Sequence, residues 1–403
     1  AGRCIYIPHM APQAYALATG MRMAGFSTRV MSPTDEHSEQ IGRALTSGRQ
    51  CYPCLLTTGD IIRQTRRTDF DPDRAAFFMP TADGPCRFGQ YHQLHRDVLD
   101  RLGFKNVPML TSEQERESIQ IFSGSGTGVY RRTFMAVVAV DAMEKLQLAT
   151  RPYELEPGLT DRWFETSIPT VCDAIQQGTK QFWNVIPRIV EQHRRIPTRG
   201  RGGRPLIGFI GEVYVRCNPF ANQYVVEQLE RGGAEVAQPT IGEWLRYLNV
   251  CSIEPQCKQR HWFNALKYLL ADRVMAREEN RIYRAFGLNA DPDPVELYDY
   301  ARPYLDPSFR GEAILTLGKA AELIVRDNVC GIVNAMPFSC MPGTICAALF
   351  RSVHRDHPDV PILNWVCAGQ EVDNNLVRLE AFLHEARMLH DRRCGNVPRP
   401  VSR

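Results

Sequence analysis

Short apolar runs of strand length alternate with helical patterns along almost the whole chain. This alternation limits the possible folds more than any other feature. RCIYIP at 3–8 reads as a buried strand, 12–24 as a helix, and STRVM at 27–31 as a second strand. Residues 55–67 read as a helix, AAFFMP at 75–80 as a third strand, 88–102 as a helix, and VPML at 107–110 as another strand. Strands buried on both faces lose the polar alternation of a half-exposed sheet, so these runs predict a parallel, doubly wound sheet.

Two long helical stretches follow, at 129–150 and 161–194. IPTRGRGGRP at 196–205, rich in Gly, Pro and Arg, reads as a linker. A second cycle then begins. LIGFIGEVYV (206–215) reads as a strand, 219–231 as a helix and AEVAQP (234–239) as a strand. Residues 241–287 are mainly helical, and DPDP at 291–294 breaks them. Residues 311–327 read as a helix, VCGIVNAMPF (329–338) as a strand, MPGTICAALFRSVHR as a helix, 361–366 as a strand and 372–390 as a last helix. The expected fold is α/β: two Rossmann-like doubly wound parallel-sheet domains with a helical insert. The expected division is 1–128, a helical segment and linker at 129–203, 204–390, and an Arg- and Pro-rich tail at 391–403.

Composition excludes some functions. The net charge of +3 is small for 403 residues and gives no warrant for nucleic-acid binding. No apolar run reaches the length of a membrane span. The N-terminus, AGRCIYIPHM, lacks the apolar run of a secretory signal, so the expectation is a cytoplasmic protein. It also lacks an initiator Met, as a processed chain or a piece of a longer one would.

The thirteen cysteines are too many to ignore and odd in number. A large chain without a secretory signal is no disulfide scaffold. Most cysteines read as small core hydrophobes: Cys172 in a helical pattern, Cys330 and Cys367 in strand runs, Cys346 in a helix and Cys4 beside the first strand. Four stand apart. Cys51 and Cys54 flank Pro53 in GRQCYPCLLTTGD, Cys86 lies in GPCRFGQYH, and Cys340 lies in MPFSCMPGT. Each sits among Pro and Gly ahead of a helix. Cys86 and Cys340 follow strand ends, where open α/β sheets build their sites and where helix amides favour negative charge. That placement reads as thiolates around a metal, foremost an iron–sulfur cluster. The Cys51/Cys54 pair alone also suits a zinc half-site or a dithiol redox couple.

The motifs TSGRQCYPCLLTTGD, FFMPTADGPCRFGQYHQLHR, GEVYVRCNPFAN and MPFSCMPGTI resemble those of the 2-hydroxyacyl-CoA dehydratase and benzoyl-CoA reductase-related superfamily. The likeness is nearest to its activase-related and double-cubane cluster branches, and it runs over almost all of residues 3–390. It implies an oxygen-sensitive protein of anaerobes holding a 4Fe–4S or double-cubane 8Fe–9S cluster, with oxidoreductase or lyase chemistry. Carried over residue by residue, Cys51, Cys54, Cys86 and Cys340 are its ligands, with Cys217 in GEVYVRCNPF as a further candidate. The resemblance implies a separate ATP-hydrolysing activase of the actin-like fold as electron donor. It also implies an acyl-CoA or other small-molecule substrate and a homodimer or heterodimer. The alternatives are a dedicated iron–sulfur electron carrier and a structural-zinc binding module.

The chain departs from the pattern in carrying no GxxxxGKS phosphate loop and in being one subunit where dehydratases use two. FSGSGTGVY (122–130) lacks the Lys of such a loop and reads as a flexible connection. His92 and His95, one helical turn apart, are candidate acid–base or cluster-supporting groups. Arg87 is a candidate counter-charge, and residues 369–371 are candidates to line the same crevice.

Overall fold

The computed structural model describes residues 2–81, 86–111, 127–309, 311–369 and 375–395. The protein is α/β, with two four-stranded sheets whose strands are all parallel. Its contacts divide it into two compact units. The first comprises Ala1–Glu144, Arg162–Arg195 and Thr240–Asp291; the second comprises Lys145–Asp161, Ile196–Pro239 and Pro292–Arg403. Residues 82–85, 122–126, 370–374 and 396–403 of the segments singled out above lie outside the described residues. No helix among the described residues is long and apolar enough to cross a membrane.

In the first unit the strands are β1 (Cys4–Ile7), β2 (Ser27–Val30), β3 (Ala75–Met79) and β4 (Met109–Thr111), in the order β2-β1-β3-β4. Period-two alternation sends Tyr6, Phe77, Met79 and Met109 to one face and Ile5, Ile7, Ala76 and Phe78 to the other. α1 (Ala14–Met23) covers the second face through Ala14, Ala18 and Met21. The first face takes α2 (Glu36–Leu45), α3 (Tyr52–Thr65) and α4 (Tyr91–Arg101) through Ile41, Ile61, Ile62, Val98 and Leu99. Strand order reverses between β1 and β3, which marks the carboxyl ends of those two strands as the place for a site.

α2 was not evident in the sequence pattern. It starts at Asp35, whose carboxylate accepts the Ser38 N–H at 2.9 Å. It packs so closely on α3 that a Cβ on Gly42 would overlap the Leu55 carbonyl, and one on Gly59 the Ser38 carbonyl. The unit also contains α6 (Leu159–Gln177) from residue 162 on, α7 (Thr179–Arg194), α10 (Ile241–Cys251), α11 (Ile253–Lys258) and α12 (Trp262–Phe286). The long α5 (Thr127–Thr150) belongs to this unit through residue 144.

The second unit repeats the order: β6-β5-β7-β8, with β5 (Leu206–Gly211), β6 (Glu235–Ala237), β7 (Gly331–Pro337) and β8 (Ile362–Cys367). Around it lie α8 (Val213–Cys217), α9 (Val225–Arg231), α13 (Pro294–Ala301), α14 (Glu312–Val325), α15 (Met341–Asp356) and α16 (Asn375–Arg393). The sequence suggested a strand through 215, but β5 stops at Gly211. There φ is +124°, and a Cβ would overlap the Ala335 carbonyl. The helix expected from 219 begins only at Val225. Asn218 and Asn222 accept the backbone N–H groups of Ala221 (3.1 Å) and Val225 (3.2 Å) and hold a turn instead. The last helix runs to Arg393, three residues into the expected tail, where Arg393 donates to the carbonyls of Asn328 (2.6 Å) and Val329 (3.0 Å).

Candidate functional site

Cys51 is the N-cap of α3 in extended backbone, and Pro53 occupies its first turn, where no N–H is needed. Both Cys51 and Cys54 are buried, in one apolar cluster with Tyr91, Phe88 and Met10. No side chain caps the start of the helix. A helix N-terminus ordinarily lowers a thiol pKa. Here burial and the neighbouring Cys51 win over Arg87 and Thr58, and the Cys54 thiol is pushed up to about 12.

Cys86 caps a 3-10 turn, Arg87–Gln90, which leads into α4; its sulfur accepts the Phe88 N–H at 3.5 Å. Arg87 donates to the Arg49 carbonyl at 3.0 Å, so the start of α3 lies beside the segment that follows β3. α4 is pinned to α3 from beneath. Thr57 spends its hydroxyl proton on the Pro53 carbonyl at 2.8 Å, so His95 Nε2, 3.2 Å from that hydroxyl, is the donor in their contact. Burial pulls the His95 pKa down to about 3, against the Cys54 carbonyl, which favours the proton. His95 is therefore a neutral packing residue here.

In the second unit Cys340 repeats the arrangement of Cys51. It is an extended N-cap, α15 follows with Pro342 in its first turn, and no side chain caps it. Its carbonyl accepts the Thr344 N–H (2.9 Å) and hydroxyl (2.7 Å). Ser339, just before it, has φ +59°, an uncommon conformation for a residue with a Cβ. Cys217 is half-buried at the end of α8. Cys346 is buried, its thiol directed at the Ala313 carbonyl at 3.5 Å, and Cys367 is buried at the end of β8. Burial raises both thiols.

The structure thus gathers Cys51, Cys54 and the Cys86–Arg87 segment in the first unit and places Cys217 and Cys340 in the second. Among the described residues, no three His, Cys, Asp or Glu side chains are grouped so as to hold a metal ion. The Cys51/Cys54 pair fits a thiolate-bound metal in chemistry: soft donors at a helix start without a side-chain cap, and a nearby guanidinium. It supplies two of the donors such a centre needs.

Sequence reasoning missed a carboxyl pair at the carboxyl edge of the second sheet. Glu212 follows β5 and Glu312 opens α14. The Val213 N–H donates to Glu312 Oε1 at 2.6 Å, and the Val215 N–H to Glu212 Oε2 at 2.9 Å. Burial raises the Glu312 pKa, the charge of Glu212 raises it further, and Arg216 opposes both; burial also raises Glu212. The available signal was a Gly-Glu step at a strand end and another at a helix start, 100 residues apart in sequence. Two thiols are the donor type of a soft metal or of a redox couple, and the raised pKa of Glu312 lets the carboxyl pair hold a proton near neutral pH. No family model and no curated protein matches the chain.

Proposed function

We propose that this chain is an iron–sulfur protein for low-potential one-electron transfer to a bound substrate, acting as a reductase or as a 2-hydroxyacyl-CoA dehydratase-type lyase. Its electron donor would be a separate ATP-hydrolysing activase, and its substrate an acyl-CoA or another small molecule. The observation that carries this reading is the pair of buried thiols at the start of α3, which no side chain caps. When bound, an iron–sulfur cluster supplies one-electron transfer at a potential set by nearby charge and burial. The chain's own part is to hold the thiolates of Cys51, Cys54 and Cys86 and to offset their charge with the α3 amides and Arg87. Phe88 and Tyr91 keep water from them. Cys340 and Cys217 are the candidate ligands of the second unit.

The dithiol-couple reading and the metal reading both need the thiolate of Cys54, which burial disfavours in the protein alone, so the metal content decides between them. Anaerobic purification with iron and acid-labile sulfide counting tests the proposal. The expected result is iron with matching sulfide in the wild type and a large loss in Cys51→Ser and Cys54→Ser. Zinc without sulfide would sink it. The same count on Cys86→Ser, Cys340→Ser and Cys217→Ser assigns the other ligands.

A further inference from the structure

We infer that the solvent face of α12 docks a protein partner that offers an apolar groove running into an acidic patch. α12 is apolar on two opposite faces. One face builds the first unit: Ala265, Met275, Ile282, Tyr283 and Phe286 are buried along it. On that side Glu278 accepts from Arg131 Nε at 2.8 Å and Glu279 from Arg246 at 3.0 Å.

The other face carries Trp262, Phe263, Leu266, Leu269, Leu270 and Val274, all exposed, with Trp262 at 65% and Phe263 at 70%. The 3.6-residue repeat sets these six on one side of the helix, away from the buried stripe. A surface helix needs only one apolar face. The second leaves roughly 600 Å² of apolar area open, a patch of the size that marks interaction sites.

Charge selects the occupant. Arg273, Arg277, Arg281 and Arg284 are exposed and continue the same face toward the C-terminus. Arg281 lies over the Trp183 ring, 3.9 Å from its centroid, and Lys267 over Phe263 at 4.5 Å. The acids of α12 turn inward: Asp272 and Glu279 pair with Arg246, and Glu278 with Arg131. The face therefore reads apolar for about 18 Å and then basic for about 16 Å, at 1.5 Å per residue.

A second copy suits this face poorly. Stripe against stripe would bury roughly 1,200 Å² in total, the lower bound for a stable pair, and would give the four arginines no acidic partner, because the acids of α12 are already paired inward. An anionic bilayer suits it poorly as well. An interfacial helix carries its bases on the side opposite its apolar face, and here that side is built into the unit. A protein groove with the same axial order, apolar then acidic, complements both halves. The inference holds whether or not the chain carries a cluster.

The test replaces Leu266 by the photo-cross-linker p-benzoylphenylalanine in the full chain, illuminated in the cells that make it. The expected result is an adduct to one other protein, with the cross-linked peptide mapped by mass spectrometry to a net-acidic segment. Its yield should fall at least fivefold in Arg277→Glu/Arg284→Glu, whose circular dichroism melt should match the parent's because both sites are exposed. The identified protein, purified, should bind the unmodified chain at least tenfold more tightly than the charge-reversed one. An adduct to lipid, an adduct to a second copy, no adduct, or binding indifferent to charge reversal each overturns the inference.

Discussion

The guanidinium of Arg87 donates to the carbonyl oxygen of Arg49, 3.0 Å away, and so joins the residue after Cys86 to the residue two before Cys51. This exposed bond spans 38 residues of sequence. A hydrogen bond in such a place contributes about 1 kcal/mol to folding. Arg87→Ala should therefore leave the melting temperature nearly unchanged. If the 86–90 turn presents a ligand beside the α3 thiols, the same variant should lose iron measurably faster to a chelator under anaerobic conditions. Equal release rates in the two proteins would separate Arg87 from the site.

Gly59, midway along α3, fixes how closely the helix that carries Cys54 packs on α2. A methyl group there would overlap the Ser38 carbonyl, which is backbone and cannot turn aside. Overpacking of this kind costs on the order of 1–3 kcal/mol or more. Gly59→Ala should lower the urea midpoint accordingly, with the slope of the transition unchanged. A variant as stable as the parent would mean that α2 and α3 separate at little cost.

The carboxyl pair gives the second unit a pH dependence of definite sign. The Glu312 pKa is raised in the folded state, to about 8, above its ordinary value of 4.5. The folded protein then binds the proton that the unfolded chain has released. This contribution to stability is complete below pH 4.5 and is lost as pH rises through about 8. Glu312→Gln keeps an acceptor for the Val213 N–H and removes the titration. Its stability should exceed the parent's at pH 8 and converge toward it at pH 4.5. Parallel curves across that range would exclude Glu312 as the titrating group.

His95 acts in the opposite direction. Its folded pKa, about 3, lies below the ordinary 6.5 because burial disfavours the imidazolium. The stability it contributes is present above pH 6.5 and is lost as pH falls toward 3. His95→Gln, which can still donate to Thr57, should flatten the acid limb of the stability curve. An acid limb as steep as the parent's would assign the loss to other groups.

Much of this was legible in the chain itself. AAFFMP, LIGFIG and VCGIVNAMP are continuous apolar runs, and they became β3, β5 and β7 because parallel strands are buried on both faces. Cys51 and Cys340 read as residues ahead of helices because they stand among Pro and Gly, and both are N-caps, although α3 starts at Tyr52 and takes in Cys54 where the pattern began it at 55. Local rules sufficed there, because each cause lies within a few residues of its effect. Tertiary structure alone decided the rest. Gly42 and Gly59 matter through carbonyls on a facing helix, and Gly211 through a carbonyl on β7. Residues 240–291 belong with the first unit by contacts that no periodicity records. Glu212 and Glu312 are unremarkable acids in sequence and become a coupled pair only when β5 and α14 meet. Burial and distance, the quantities that move a pKa, are properties of the folded arrangement and not of the residue.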